Sequence, residues 1–201
     1  MELFSQHCNC FLGGWLRVAF LDTHTSPDHT FDVSAVLHDD PAVAIEKASV
    51  RHQEFDGISS GISFDGLVKL RQTMGFNQMR FFCTKPGVKI DMVTTDDEKG
   101  RAVVDYFTSN STQLPDACGS FESYGNSELA KSCATWNQGH GKWGVRGDDF
   151  VGDQRLYGRV AHINGKHALS LGLIDSEKNK FRCDDYIDSE IRGGRWVVFV
   201  R

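Results

Sequence analysis

The stretch Gly14-Trp15-Leu16-Arg17-Val18-Ala19-Phe20-Leu21 decides the fold class. It is apolar on both faces of an extended chain except at Arg17, which is typical of a strand buried inside a sheet. The residues from Trp196 to Val200 have the same two-sided apolar character and predict another core strand. The chain is therefore expected to build its core on β-sheet.

One hairpin is predicted in the middle of the chain. Met79 to Cys83 and Lys89 to Thr94 are strand-like runs on either side of the turn sequence Lys85-Pro86-Gly87. Proline followed by glycine suits a tight turn, because proline fixes φ and glycine tolerates a positive φ. We therefore expect an antiparallel pair here.

Another hairpin is predicted at Asn164-Gly165, which lies between two alternating runs. This dipeptide favours a two-residue type I′ turn, and that turn fixes the register of its flanking strands. Pairing Ile163 with Lys166 places His162 opposite His167. Two imidazoles on one face could bind a metal or sense pH, and ordinary packing is the alternative.

Two short helices are predicted. Asp65 to Met74 has helical apolar spacing and Gly75 follows it as a stop signal, whereas Ser127 to Cys133 begins with a capping serine. Arg101 to Thr108 fits a helix or a strand, and a short strand is expected at Phe31 to Leu37. Together these segments predict an α+β fold, mainly antiparallel β-sheet with glycine turns, two short helices and disulfide bonds.

Length and composition favour one globular domain over residues 1–201. Of the 201 residues, 40% are apolar and 24% are charged, and glycine (20 residues) far exceeds proline (4 residues). An amino-terminal lobe covering residues 1–61 is an alternative. The net charge of −5 argues against a general nucleic-acid binder, and no apolar run is long enough for a transmembrane helix.

The six cysteines are scattered and lack the Cys-x-x-Cys spacing of zinc ribbons and redox motifs. An even number of scattered cysteines favours disulfides, although six reduced, buried thiols are the alternative. We predict one bridge between Cys118 and Cys133. The matching short strands around Cys83 and Cys183 suggest a second bridge.

The cysteines and one glycosylation sequence favour an extracellular glycoprotein. Asn110-Ser111-Thr112 is an acceptor tripeptide in a polar stretch. Met1 to Leu21 lacks the pattern of a signal peptide, so the chain is either intracellular or an exported protein whose signal has been removed. Cys8 or Cys10 could link it to another chain as an oligomer.

The segment from Trp136 to Gly144, with the acidic pair that follows it, carries the residue types of a sugar-binding site. Such sites combine an aromatic ring with amide and carboxylate groups on glycine-rich loops. The predicted ligand-binding residues are Trp136, Asn137, His140, Trp143, Asp148 and Asp149. The alternative is a structural loop in which both tryptophans fill the core.

Four groups of adjacent acidic residues could supply oxygen ligands to calcium. They are Asp39-Asp40, Asp96-Asp97-Glu98, Asp148-Asp149 and Asp184-Asp185. Asp184 and Asp185 are the predicted calcium ligands, because they directly follow Cys183 and a bridge would hold them in place. The alternatives are a solvated acidic surface and an acidic matrix protein that contacts mineral or collagen.

The loop from Thr23 to His29 resembles the His-x-His-x-Asp-His loop of the metallo-β-lactamase family, with Ser26 in the position of one histidine. This resemblance implies a zinc-dependent hydrolase using His24, Asp28 and His29. No nucleophile elbow, phosphate-binding glycine loop or dinucleotide motif is present in the sequence. A non-catalytic protein is therefore the preferred interpretation.

The segment from Leu12 to Phe20, which follows Cys8 and Cys10, resembles the Gly-Gly-Trp strand that opens fibrinogen-related and intelectin-like secreted lectin domains. The same chain also resembles extracellular modules of marine invertebrates, in the segments Asp116 to Phe121, Gly141 to Gly144, Cys183 to Tyr186 and the closing Arg195 to Arg201. The resemblance implies a secreted recognition or adhesion module with a glycan or an extracellular protein as partner. It carries over no ligand residues.

Overall fold

A computed structural model provides the fold. It describes residues 13–22, 33–49, 59–109, 111–125, 127–135, 141–144, 152–163, 167–170, 181–186 and 194–201. The strands are β1 Leu16–Asp22, β2 Leu37–His38, β3 Ser60–Ile62, β4 Met79–Lys85, β5 Val88–Thr94, β6 Phe121–Ser123, β7 Gly141–Trp143, β8 Arg159–Ile163, β9 His167–Ser170, β10 Arg182–Tyr186 and β11 Arg195–Val200. The helices are α1 Pro41–Ser49, α2 Phe64–Met74, α3 Glu98–Thr108, α4 Glu128–Thr135 and α5 Asp153–Tyr157. The predicted α+β class is confirmed.

Seven strands form the larger sheet, in the order β2-β3-β1-β11-β4-β5-β6. All neighbours in it are antiparallel except β2 and β3. The two predicted core strands, β1 and β11, lie side by side at its centre, where both faces of a strand are covered. Because β1 pairs with β3 on its other side and β3 with β2, the three described strands of the amino-terminal part of the chain belong to this same sheet.

The β4–β5 hairpin has the predicted strands and turn. Lys85 pairs with Val88, and Gly87 takes a φ of 78°, a left-handed conformation that glycine adopts without strain. Along β4, buried and half-buried residues alternate, and Met79, Phe81 and Cys83 point into the core. The intervening residues of β4 therefore lie on the outer face of the sheet.

Both predicted helices are present, and the described residues contain three more. Ser63 caps α2 by accepting a hydrogen bond from the Gly66 N–H at 3.1 Å, and Gly75 ends the helix with a φ of 67°. Ser127 caps α4 in the same way. The ambiguous segment at 101–108 is helical, as part of α3. The short strand expected at 31–37 is wrong, because Val33–Val36 is a 3-10 helix.

The smaller sheet has four strands, in the order β10-β9-β8-β7. The predicted hairpin joins β8 to β9, but the register predicted for it is wrong. Ile163 pairs with His167 and His162 pairs with Ala168, so three residues separate the strands instead of two. His162 and His167 are therefore not paired across the hairpin, as the predicted register required.

The hydrophobic core joins the two sheets around Phe81, which lies on the inner face of β4 with no exposed surface. Its ring lies 5.5 Å from the ring of Phe107 on α3, 5.5 Å from Trp143 on β7 and 5.8 Å from Trp196 on β11, centroid to centroid. Helix α3 and the smaller sheet thus cover the same face of the larger sheet. The outer face remains as the place for a surface site.

The predicted Cys83–Cys183 disulfide is confirmed and links β4 of the larger sheet to β10 of the smaller one. The alternative of six reduced thiols is therefore wrong. Cys118 is also disulfide-bonded, and because the side chain of Cys133 lies outside the described residues, their pairing stays a prediction. Cys8 and Cys10 lie outside the described residues as well.

Candidate functional site

A cleft of about 560 Å³ opens at one corner of the larger sheet, at the ends of β4, β5 and β6. Strand pairing places Arg80, Val93 and Glu122 in one row across these three strands, on the outer face. The cleft is therefore built on rigid sheet, which holds side chains in fixed positions.

Arg80 and Asp91 form a fixed polar pair in this cleft. The Arg80 Nε donates to Asp91 Oδ1 at 2.7 Å and its Nη2 donates to Asp91 Oδ2 at 2.6 Å. The guanidinium also lies 5.5 Å from the ring centre of Phe199 on β11. The hydrogen bond with Asp91 raises the pKa of Arg80, and burial opposes this shift. The pair presents the remaining N–H groups of Arg80 in one orientation.

One end of the cleft is formed by residues that flank β4 and β11. The guanidinium of Arg201 lies 4.6 Å from the ring centre of Trp15 and donates from Nη2 to Gln78 Oε1 at 2.5 Å. Gln78 is also held by donating from Nε2 to the Thr94 carbonyl at 2.8 Å. These hydrogen bonds and the stacked ring fix the amide and the guanidinium together.

The opposite rim is more exposed and carries an aromatic ring beside a carboxylate. Tyr124 is 59% exposed, and its backbone N–H donates to the Asp91 carbonyl at 2.8 Å, which fixes its position beside β5. Glu122 is exposed and, in the described part of the chain, has no side-chain partner. Asp96 is also exposed but lies at the Gln78 end of the cleft, where it accepts a hydrogen bond from Asn77 Nδ2 at 3.1 Å.

These groups are suited to binding hydroxyl groups. Arg80 and Gln78 carry donors, Glu122 and Asp96 carry acceptors, and the exposed ring of Tyr124 offers an apolar face. A sugar presents hydroxyls that both donate and accept, next to an apolar C–H face. The cleft therefore combines an aromatic ring with amide and carboxylate groups, the combination on which the sugar-binding site at Trp136 to Asp149 was predicted.

The predicted contact loop itself is only partly described. Trp143 has no exposed surface, and its Nε1 donates to Ser120 Oγ at 2.8 Å inside the core. A fully buried ring cannot stack on a sugar, so the expectation that Trp143 contacts a ligand is corrected. The alternative in which it fills the core holds for this residue. The remaining predicted contacts lie outside the described residues: Trp136, Asn137, His140, Asp148 and Asp149.

The predicted metal sites receive no further support. His24, Asp28 and His29 lie outside the described residues, and Asp184 and Asp185 lie in β10 with side chains that are not described. Among the described residues, no three histidine, cysteine or acidic side chains come together in a way that could hold a metal ion.

Two of the four acidic groups have structural roles. Asp40 Oδ1 accepts a hydrogen bond from the Ala42 N–H at 2.9 Å at the start of α1. Asp97 Oδ1 accepts one from the Gly100 N–H at 3.0 Å at the start of α3, and this bond lowers the pKa of Asp97. Asp39 accepts a hydrogen bond from the Ser63 hydroxyl. Asp40 and Asp97 thus cap helices, as local sequence chemistry favours, whereas Asp39 holds the serine that caps α2.

Apart from Asp96, which belongs to one of the acidic groups, the cleft residues were missed as site residues by the sequence reasoning, although part of the signal was present. Alternation along Met79 to Lys85 places Arg80 on the outer face. Nothing local indicates that Tyr124 and Arg201 would reach the same corner, because that proximity depends on the strand order. A search for polar residues on predicted outer faces could have found Arg80 and Asp91 and no more.

Comparison with known proteins provides no relative. The chain matches no protein-family model, no curated protein and no solved structure. In the described ranges, no helix is long and apolar enough to cross a membrane.

Proposed function

We propose that this protein is a non-catalytic carbohydrate-binding domain whose site is the cleft at β4, β5 and β6. The observation that carries the proposal is the fixed Arg80–Asp91 pair facing an open cleft with the exposed ring of Tyr124 on its rim. An aromatic ring beside oriented donors and acceptors is the arrangement that sugar recognition requires.

The proposal includes an extracellular location and a lectin-like or adhesive role. The buried Cys83–Cys183 disulfide supports it, because disulfides persist in oxidising compartments. The Gly-Gly-Trp resemblance of residues 12–20 points in the same direction. A glycan on Asn110 and calcium at Asp184 and Asp185 belong to the same proposal, and the side chains of all three residues lie outside the described part of the structure.

Tyr124→Ala tests the site. We expect this variant to lose about tenfold in affinity for the glycans that the wild type binds, because stacking and apolar contact with the sugar ring are removed. Binding is measured on a glycan array and then by calorimetry with the best neutral oligosaccharide. Because the ring is exposed, the thermal midpoint of unfolding should change little.

Met74→Ala is the matched control, since Met74 is the other large exposed hydrophobic residue described, at 46% exposure, and it lies outside the cleft. It should leave glycan binding unchanged. Equal binding by wild type and Tyr124→Ala would remove the cleft as the site.

Saturable glycan binding that disappears with a chelator and returns with calcium would support the calcium part of the proposal.

A further inference from the structure

We propose that the cleft selects neutral sugars against their acidic counterparts, such as uronic acids. This inference rests on the proposed function, because it names the class of sugar that the same site takes. It follows from the charges around the cleft, which consist of two guanidinium groups and three carboxylates.

The positive charge of Arg80 is largely compensated inside the protein. Both oxygens of Asp91 accept from it, at 2.7 and 2.6 Å, in a part-buried pair. The Asp91 carboxylate offsets the charge of the guanidinium, so the pair attracts an anion only weakly. The remaining Arg80 N–H groups can still donate hydrogen bonds to neutral acceptors. A sugar hydroxyl oxygen can accept from the remaining Arg80 N–H groups, so the site does not need an anionic ligand.

The other guanidinium is also engaged. Arg201 lies over Trp15 and donates from Nε and Nη2 to the same Gln78 oxygen, at 3.1 and 2.5 Å. Its Nη1 donates to the Gly13 carbonyl at 3.4 Å. Three of its five N–H groups therefore have protein acceptors, which leaves two donors for ligand oxygens. Its single positive charge is outnumbered by the carboxylates of Glu122 and Asp96 in the same cleft.

The carboxylates on the rim are less compensated. Glu122 is exposed and has no side-chain partner among the described residues. Asp96 is 61% exposed and lies 3.4 Å from Arg101, a separation at which an exposed ion pair is weak. A hydroxyl donates to these oxygens, whereas the carboxylate of a uronic acid is repelled by them.

The expected size of this discrimination follows from Coulomb's law. Two like charges about 6 Å apart in a water-like medium repel enough to weaken binding roughly threefold. Partial burial of the ligand would increase the ratio, and added salt would decrease it.

The test compares sugars that differ at one carbon. The probes are the methyl glycosides of glucose, galactose and mannose and the corresponding uronates, titrated into the isotope-labelled full chain and followed by NMR. We expect at least one neutral glycoside to bind threefold or more tightly than its uronate. Glu122→Gln should bring that ratio toward one, and Glu98→Gln, an exposed acidic residue on α3 outside the cleft, should leave it unchanged.

The outcomes separate this inference from the proposed function. Equal or tighter binding of the uronates at the cleft resonances would overturn the selectivity while leaving sugar binding intact. A ratio that persists in Glu122→Gln would overturn the role of that carboxylate. Absence of binding by every glycoside and uronate would overturn both proposals together.

Discussion

The two sheets differ in how continuously their strands pair. In the larger sheet, β11 pairs with β4, and β4 with β5, over six residue pairs each without an irregularity, and only one of the six strand pairings described there, β1 with β11, contains a register shift. In the smaller sheet, two of the three strand pairings contain a register shift. The larger sheet is thus held by its own hydrogen-bonded ladders, whereas the smaller sheet has shorter and interrupted ones.

The smaller sheet compensates through contacts with the larger one. Trp143 on β7 lies against Phe81, and Cys183 on β10 is bonded to Cys83. Phe181, just before β10, is buried as well, and its carbonyl accepts from Lys85 Nζ at 3.3 Å. We therefore expect the smaller sheet to be stable only where its contacts with the larger sheet are intact, and three experiments test that expectation.

Trp143→Ala should have the largest effect. The ring is fully buried among Phe81, Phe107 and Phe121, so its removal leaves a large cavity between the sheets. We expect a loss of about 3–5 kcal/mol in the free energy of unfolding. Chemical denaturation measures it.

Trp143→Phe is the control for that experiment. It keeps an aromatic ring and loses mainly the hydrogen bond to Ser120, so its cost should be nearer to 1 kcal/mol. If Trp143→Ala cost less than Trp143→Phe, the interlayer packing would not be the main support of the smaller sheet.

Removing the Cys83–Cys183 bridge should rank next. The bridge closes a loop with a sequence separation of 100 residues, and disulfides of this kind stabilise by about 2–5 kcal/mol. The double variant Cys83→Ala with Cys183→Ala avoids free thiols. Hydrogen exchange should show protection falling first in β9 and β10 and later in β4 and β11.

An equal fall in both sheets would contradict the comparison, because it would mean that they unfold as one unit. Adding a reductant to the wild type under native conditions gives a related measurement. Both sulfur atoms are buried, so reduction should be slow until the structure opens.

Sequence patterns predicted the larger sheet better than the smaller one for a physical reason. The two-sided apolar runs of β1 and β11 and the Pro-Gly turn after β4 are local signals that the tertiary structure leaves unchanged. The Asn164-Gly165 signal was equally local, but an irregularity between Arg159 and Ala161 accompanies a different register there. Packing against the larger sheet can override a turn preference.

The candidate site was harder to predict because its parts come from distant segments. Tyr124 follows β6, Arg80 lies on β4, and Arg201 follows β11. Their proximity requires the strand order, which the sequence does not state. The prediction for Trp143 failed because the local sequence was ambiguous. An aromatic residue between glycines suits a sugar-binding loop and a buried strand equally well.

Asp153 should give the smallest effect, and it tests how the two sheets are connected. It begins α5, which leads into β8 of the smaller sheet, and its Oδ1 accepts from the Phe64 N–H at 2.5 Å at the start of α2. Four residues later, Tyr157 donates from its hydroxyl to the Ile62 carbonyl at 2.6 Å. These two bonds tie α5 to the β3–α2 corner.

Burial raises the pKa of Asp153 above its ordinary value of 3.8; the Phe64 hydrogen bond opposes this shift, and the nearby carboxylates Asp39 and Asp65 add to it. A raised pKa means that the folded state favours the protonated form. The stabilisation is fully present below pH 3.8 and is lost as the pH rises through the folded-state value. Ionised Asp153 is thus a cost at neutral pH.

Asp153→Asn should therefore match the wild type near pH 3 and exceed it in stability at pH 7, with the gain growing between them. Asparagine keeps an oxygen that can accept from Phe64 and cannot ionise. Thermal unfolding across this pH range measures the difference, with Glu46→Gln on the exposed side of α1 as the control. A loss of stability at pH 7 would instead mean that the negative charge strengthens the bond to α2 more than its burial costs. The carboxylate would then be a favourable link between the layers, and the smaller sheet would depend on charge as well as on packing.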